Sequence, residues 1–169
     1  MDSTEAIVNM IEKSCSKLFD THLERMKEKK SINNESYEQT KVIIKELKAI
    51  SDPIIRGAGY SESYIIRYID DKMGNLEEDI NGAKDFCIRP NVYKKIETMY
   101  SNLEEYFDVS LALFNFKRLQ NKAQLGTSEK ERATDNRNDY EYRRKLLTED
   151  IREDFYRMVK MVKKEYNID

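Results

Sequence analysis

Apolar residues recur at alternating steps of three and four along almost the whole chain, as at Val8, Ile11, Cys15 and Leu18, and again at Ile66, Ile69, Met73, Leu76, Ile80, Ala83 and Cys87. This spacing returns side chains to one face of a helix and is the signature of packed helices. A first helix is predicted from Ser3 or Thr4, either of which can cap exposed backbone donors, to Lys30, before Ser31-Ile32-Asn33-Asn34 breaks the pattern. Asn34 offers the next cap, and Tyr37, Ile44, Leu47 and Ile50 form a second stripe that Ser51-Asp52-Pro53 is expected to end. After the glycine-rich Ile54–Gly59 stretch, Ser61 caps a third helix running to about Phe86, with Gly74 inside it marking a bend or a close helix crossing.

Arg89-Pro90-Asn91 sets the next boundary, because proline restricts the residue before it yet fits the first turn of a following helix. From Asn91 to about Gln124 runs a helix whose Tyr106–Phe116 segment is apolar nearly all round, so it must be surrounded, by the bundle or by a partner. Leu125-Gly126 reads as its end, and Ser128 with Glu131 has the spacing of a capping box. Between Glu129 and Asp139 almost nothing is apolar, which predicts either a solvated helical extension or a mobile linker. The stripe then resumes at Tyr140, Leu147, Ile151, Phe155, Met158 and Val162. The expected fold is all-α: a mostly antiparallel bundle of four to five helices forming one domain over 1–169, with a polar segment at 126–139.

Composition supports that reading and removes others. With 169 residues, 39% hydrophobic and 37% charged positions, 5 Gly and 2 Pro, the chain has enough apolar periodicity for a core and too few breakers for an all-β fold. No window approaches the roughly 20 uncharged apolar residues of a membrane span, and Met1-Asp2-Ser3-Thr4-Glu5 lacks the basic start of a secretory leader, so a cytoplasmic location is expected. Cys15 and Cys87, both on apolar stripes, form neither a disulfide framework nor a metal-ligand spacing.

Candidate chemistry is sparse. His22, the one histidine, lies on the stripe of the first helix between Leu18 and Met26. No arginine precedes it, which excludes the arginine–histidine arrangement of helical RNases of the HEPN type. Glu35/Glu38 and Glu105/Asp108 resemble the magnesium-binding fragments of helical pyrophosphohydrolases of the MazG type, and each pair shares a helical face. A metal-dependent nucleotide pyrophosphohydrolase is therefore one reading, but in a chain with 32 acidic residues the helix dipole and solvated faces account for such fragments as well. Gly57-Ala58-Gly59 lacks the Lys-Ser/Thr and the preceding strand of a phosphate loop and reads as a turn. No catalytic residue, metal ligand or cofactor is assigned.

Charge is uneven although the net charge is only −2. Residues 62–108 carry eleven acids against six bases, whereas 117–145 carry nine bases against five acids. The basic stretch includes Lys117, Arg118, Lys122, Arg137, Arg143, Arg144 and Lys145, with amides and tyrosines interspersed that could bind phosphate and stack on bases. Lys27, Lys29 and Lys30 add a small patch that complements the end of the first helix. Tyr60, Tyr64 and Tyr68, at steps of four beside Arg67, form an edge of the residue types that anchor protein interfaces.

The leading expectation is a non-enzymatic binding or assembly protein, working through a protein partner or self-association and contacting it through Tyr60, Tyr64, Arg67 and Tyr68. An inhibitor, regulator or subunit of a nucleoprotein complex fits this class. The abundance of Lys, Ile, Asn and Glu is in keeping with an A+T-rich genome such as that of a low-GC bacterium, phage or mobile element. The alternative is a nucleic-acid-binding protein that uses the basic 117–145 segment.

Overall fold

A computed structural model of the chain describes residues 9, 10, 13, 32–86, 88–122 and 126–167. The expected first helix lies outside them apart from helical Asn9, Met10 and Lys13, and so do Cys15, His22, Cys87 and the lysines at 27, 29 and 30. The described residues contain helices and no strands.

Helix α1 spans Ile32–Ile55 and buries Tyr37, Ile43, Ile44, Leu47, Ile50, Ile54 and Ile55. It begins before Asn34 and runs through Pro53, correcting both expected ends. Proline deprives the Ala49 carbonyl of its helical donor. The break is tolerated because Pro53 stands in the last turn, where the Tyr60 hydroxyl lies 3.5 Å from that carbonyl and donates to the neighbouring Ile50 carbonyl at 2.9 Å. The helix stops at Gly57 and Gly59, whose φ angles of 79° and 61° are in the left-handed region, and the Gly59 N–H bonds back to the Pro53 carbonyl at 2.9 Å.

Helix α2 covers 62–86 and is not uniform: a single α-turn at Glu62–Tyr64, a π-turn at Ile65–Ile69, an α-helix at Asp70–Gly82 and a 3-10 turn at Ala83–Phe86. Ser61 caps it as expected, its Oγ accepting from the Tyr64 N–H at 3.3 Å. The π-turn changes the register. Counting back three from Ile69 selects Ile66 for the core, but the wider turn needs one residue more, so Ile65 is buried and Ile66 is 60% exposed. Gly74 marks no crossing, since a Cβ built there meets nothing within 4 Å.

Helix α3, Pro90–Asn121, starts at its proline and buries Val92, Ile96, Met99, Leu103, Tyr106, Phe107, Val109 and Leu113. The Tyr106–Phe116 segment is thus mainly core. Helix α4, Thr127–Glu165, is continuous through the polar stretch that follows Glu129, which is the helical extension and not a linker. Its starting carboxylate is Glu129, which accepts the Gly126 N–H at 3.1 Å, and not Glu131 paired with Ser128.

Neighbouring helices run antiparallel. Gln120 Nε2 meets Thr134 at one end of the α3–α4 pair and Asn91 meets Glu165 at the other, while Tyr166 touches the start of α1 and Arg152 bonds to the Ile55 carbonyl at its end. One apolar cluster joins all four helices, with Phe155, Ile43, Leu47, Leu76, Ile96 and Leu103 among its fully buried side chains. Residues 127–140 of α4 and the end of α3 continue beyond the α1–α2 turn as a two-helix arm, about 20 Å long at 1.5 Å per residue. The arm is held by Phe116 against Tyr140 (5.1 Å between ring centres) and by Arg137 donating to Gln120 at 3.0 Å.

Candidate functional site

The tyrosines at 60, 64 and 68 do form one ladder along the start of α2. Tyr60 stacks on Tyr64 with 5.3 Å between ring centres and 16° between planes, and Tyr64 meets Tyr68 at 5.1 Å. The three differ in what they offer. Tyr60 is fixed at both ends, its ring against Phe107 at 5.6 Å and its hydroxyl on the Ile50 carbonyl, and burial, reinforced by nearby Tyr64, Tyr106 and Asp52, pushes its pKa to about 12. It is a structural anchor. Tyr64 is half-buried, with the Lys72 ammonium 2.7 Å from its hydroxyl and 5.3 Å from its ring centre. Tyr68 is 51% exposed, and Arg67 and Ile66 stand beside it on the π-turn.

The exposed part of this edge is therefore Tyr68 with Arg67 next to it, while Ile66, two positions before Tyr68, is exposed on the other side of the turn. Sequence periodicity assigns Ile66 to the core, whereas it is 60% exposed. The run Tyr64-Ile65-Ile66-Arg67-Tyr68-Ile69, with apolar residues on both sides of Arg67, is the only sequence signal that could have raised the question.

The basic segment does not form one surface. Arg118 pairs with Glu62 and with Asn115 at 2.8 Å, Arg137 pairs with Glu141 at 2.9 Å, and Arg143 Nε donates to Glu105 at 2.8 Å. Lys117, Lys122, Arg144 and Lys145 form no ion pair among the described residues. Lys117 and Lys122 belong to the end of α3, whereas Arg144 and Lys145 lie at the base of the arm beside the α1–α2 turn. Arg143 faces α3 and Arg144 faces that turn, so adjacent cations are directed to different sides of α4.

The carboxylates of the pyrophosphohydrolase reading do not converge. Glu35 and Glu38 stand at the start of α1, where Glu38 pairs with Lys41 at 2.7 Å, next to the α1 residue that contacts Tyr166 of α4. Glu105 is opposite Arg143, 23 residues earlier on α4, or about 35 Å along that helix. The four cannot share an ion, and among the described residues no group of three His, Cys, Asp or Glu side chains is placed to hold one.

Compared with protein families, curated proteins and solved structures, the chain matches none. No helix among the described residues is long and apolar enough to cross a membrane. The arrangement supports a small all-α interaction module, and the described residues present no assembled catalytic constellation.

Proposed function

We propose that this protein is a non-enzymatic helical module that acts by holding a protein partner, or a second copy of itself, against the start of α2. One observation carries the reading: on the π-turn Arg67 and Tyr68 are exposed side by side, at the outer end of a tyrosine stack whose inner member is locked into the bundle. A single-turn π-helix is rare and is found disproportionately at functional positions. Tyrosine and arginine contribute strongly to interfaces because they bring large contact area with limited loss of side-chain freedom. The rigid stack reduces that loss further, since Tyr64 is already restrained by Tyr60 and Lys72. An inhibitor, regulator or structural subunit of a larger complex would use such a face without any chemistry of its own.

The test is photo-crosslinking from an unnatural aromatic residue placed at position 71, exposed one turn after Arg67, in cells that make the full chain, coupled to light scattering of the purified protein. A defined crosslinked protein, or a dimer, that disappears in the Arg67→Glu, Tyr68→Ala double variant supports the face. Crosslinks unaffected by that double variant, or absent while the protein stays monomeric, reject it.

A further inference from the structure

At the junction of the α1–α2 turn with the base of the arm is a half-open cleft of about 290 Å³, bounded by Gly57, Ala58 and Gly59 on one side and by Glu141, Arg144, Lys145 and Thr148 of α4 on the other. Ile54, Tyr60 and Tyr106 complete its lining. We propose that this cleft binds the phosphate group of a small phosphorylated molecule, with Arg144, Lys145 and the Tyr106 hydroxyl as its donors. The site adjoins the tyrosine ladder at Tyr60 but does not depend on the partner-binding reading.

Charge is the first argument. Neither the Arg144 guanidinium nor the Lys145 ammonium has a carboxylate partner among the described residues, in a protein where Arg118, Arg137, Arg143 and Arg157 all have one. Glu141, the one acid in the lining, is engaged by Arg137. Two adjacent cations thus face one concavity against the single carboxylate of Glu141, one a planar fork suited to two phosphate oxygens and the other a point charge.

The turn supplies the second argument. Gly57 and Gly59 both have positive φ, and a Cβ on Gly59 would lie 3.2 Å from the Tyr106 hydroxyl oxygen. Only glycine lets this backbone come so close to that hydroxyl without displacement. The phenol itself is 5% exposed, and burial raises its pKa against the opposing influence of Arg144 and Ser110, so it remains a proton donor at neutral pH. The Thr148 hydroxyl donates its proton to the Arg144 carbonyl at 2.9 Å, so it is not among the phosphate donors.

Size gives the third. The volume is several times that of inorganic phosphate and sits at the lower end of small-molecule pockets, so a phosphomonoester with a sugar or nucleoside attached is the class that fits. Sequence reading separates these parts, because the glycines and the Arg144-Lys145 pair lie more than eighty residues apart.

The experiment is an amide-resolved NMR titration of the full chain with inorganic phosphate, AMP and a hexose phosphate, each matched in ionic strength with chloride. Saturable shifts at Gly57, Ala58 and Gly59, half-complete at or below about 1 mM for an ester, support the site. They should weaken at least tenfold in the Arg144→Gln, Lys145→Gln variant and persist in Lys117→Gln, Lys122→Gln. Phosphate alone binding more weakly than the esters identifies the organic part as a contributor. Shifts reproduced by chloride, absence of saturation to about 10 mM, or insensitivity to the Arg144/Lys145 change would each overturn the proposal. So would binding confined to a single-stranded oligonucleotide, which would move the interaction to a nucleic-acid backbone. Both changed side chains reach solvent, and unchanged circular dichroism with unchanged shifts at Phe155 confirms that the variant is folded.

Discussion

Replacing Tyr60 by phenylalanine removes one oxygen and nothing else, and the structure says what that oxygen does. It donates at 2.9 Å to the Ile50 carbonyl and sits beside the Ala49 carbonyl that Pro53 leaves without its helical donor. The ring contacts with Tyr64 and Phe107 are kept. A net hydrogen bond contributes about 1 kcal/mol, and a carbonyl left unpaired near the core costs about 1–3 kcal/mol. The Ile50 carbonyl has the Ile54 N–H as its helical donor, and the group left short is the Ala49 carbonyl, whose contact with the hydroxyl is solvent-exposed, which argues for the lower part of that range. The expected loss is about 1.5 kcal/mol. For a chain of this length it corresponds to a Tm decrease of roughly 3–6 °C.

Urea denaturation followed by far-ultraviolet circular dichroism measures it, with Tyr68→Phe as the control. Tyr68 is half-exposed and its hydroxyl makes no hydrogen bond among the described residues, so its variant should change by less than about 0.5 kcal/mol. Equal effects at the two positions would refute the assignment of Tyr60 as an anchor, and a Tyr60→Phe protein as stable as the parent would refute the account of how Pro53 is accommodated.

Two further expectations concern the other end of the bundle and the α1–α2 interface. Tyr166→Phe deprives buried Ser36 and Thr40 of the hydroxyl at 2.5 and 3.1 Å that ties the end of α4 to α1, and should lower stability by about 1–2 kcal/mol with hydrogen exchange accelerated first in the last turn of α4. Glu46 titrates above the ordinary carboxylate range because burial and the neighbouring Asp79 disfavour its charge. A raised folded pKa favours the fold while the group is protonated, so this contribution is present below the unfolded value near 4.3 and is lost as pH rises through the folded value. Glu46→Gln should therefore gain stability over the parent at pH 8 and little at pH 4. Tm measured across that interval checks it, and a gain that does not grow with pH contradicts it.

The periodicity of apolar residues was enough to place the four described helices and most of the core, because burial of one face is what both the spacing and the bundle express. Where reading failed, the cause was a local term outranked by packing. Pro53 reads as a stop, yet Ile54 and Ile55 have core positions to fill and the Tyr60 hydroxyl lies against the carbonyl that loses its donor, so α1 continues through it. Ile66 fits the stripe by spacing, but the π-turn substitutes Ile65. The tyrosine edge was legible as a group, though not the difference between its locked and open members. Ion pairs such as Arg118 with Glu62 and Arg143 with Glu105 join residues 56 and 38 positions apart, and a linear charge count sees only their excess. The cleft was illegible for the same reason, being made by a turn and a helix that only tertiary packing brings together.

Tyr60 belongs to both surfaces. Its ring begins the ladder that ends at Tyr68, and the same residue lines the cleft that holds Arg144 and Lys145. The two proposed sites consequently share a wall, and the wall is fixed by the hydroxyl on α1, not by either ligand. Changes at the shared part, Tyr60 or Gly59, would disturb partner binding and phosphate binding together and could not assign either. Changes at the outer ends discriminate, because Arg67 and Tyr68 do not line the cleft and Arg144 and Lys145 are absent from the ladder. If Tyr68→Ala abolishes partner binding and leaves the phosphate titration intact, the two surfaces act separately despite their common wall. If it weakens both alike, the stack itself has moved, and the rigidity on which the proposed interface rests is not a property of this fold.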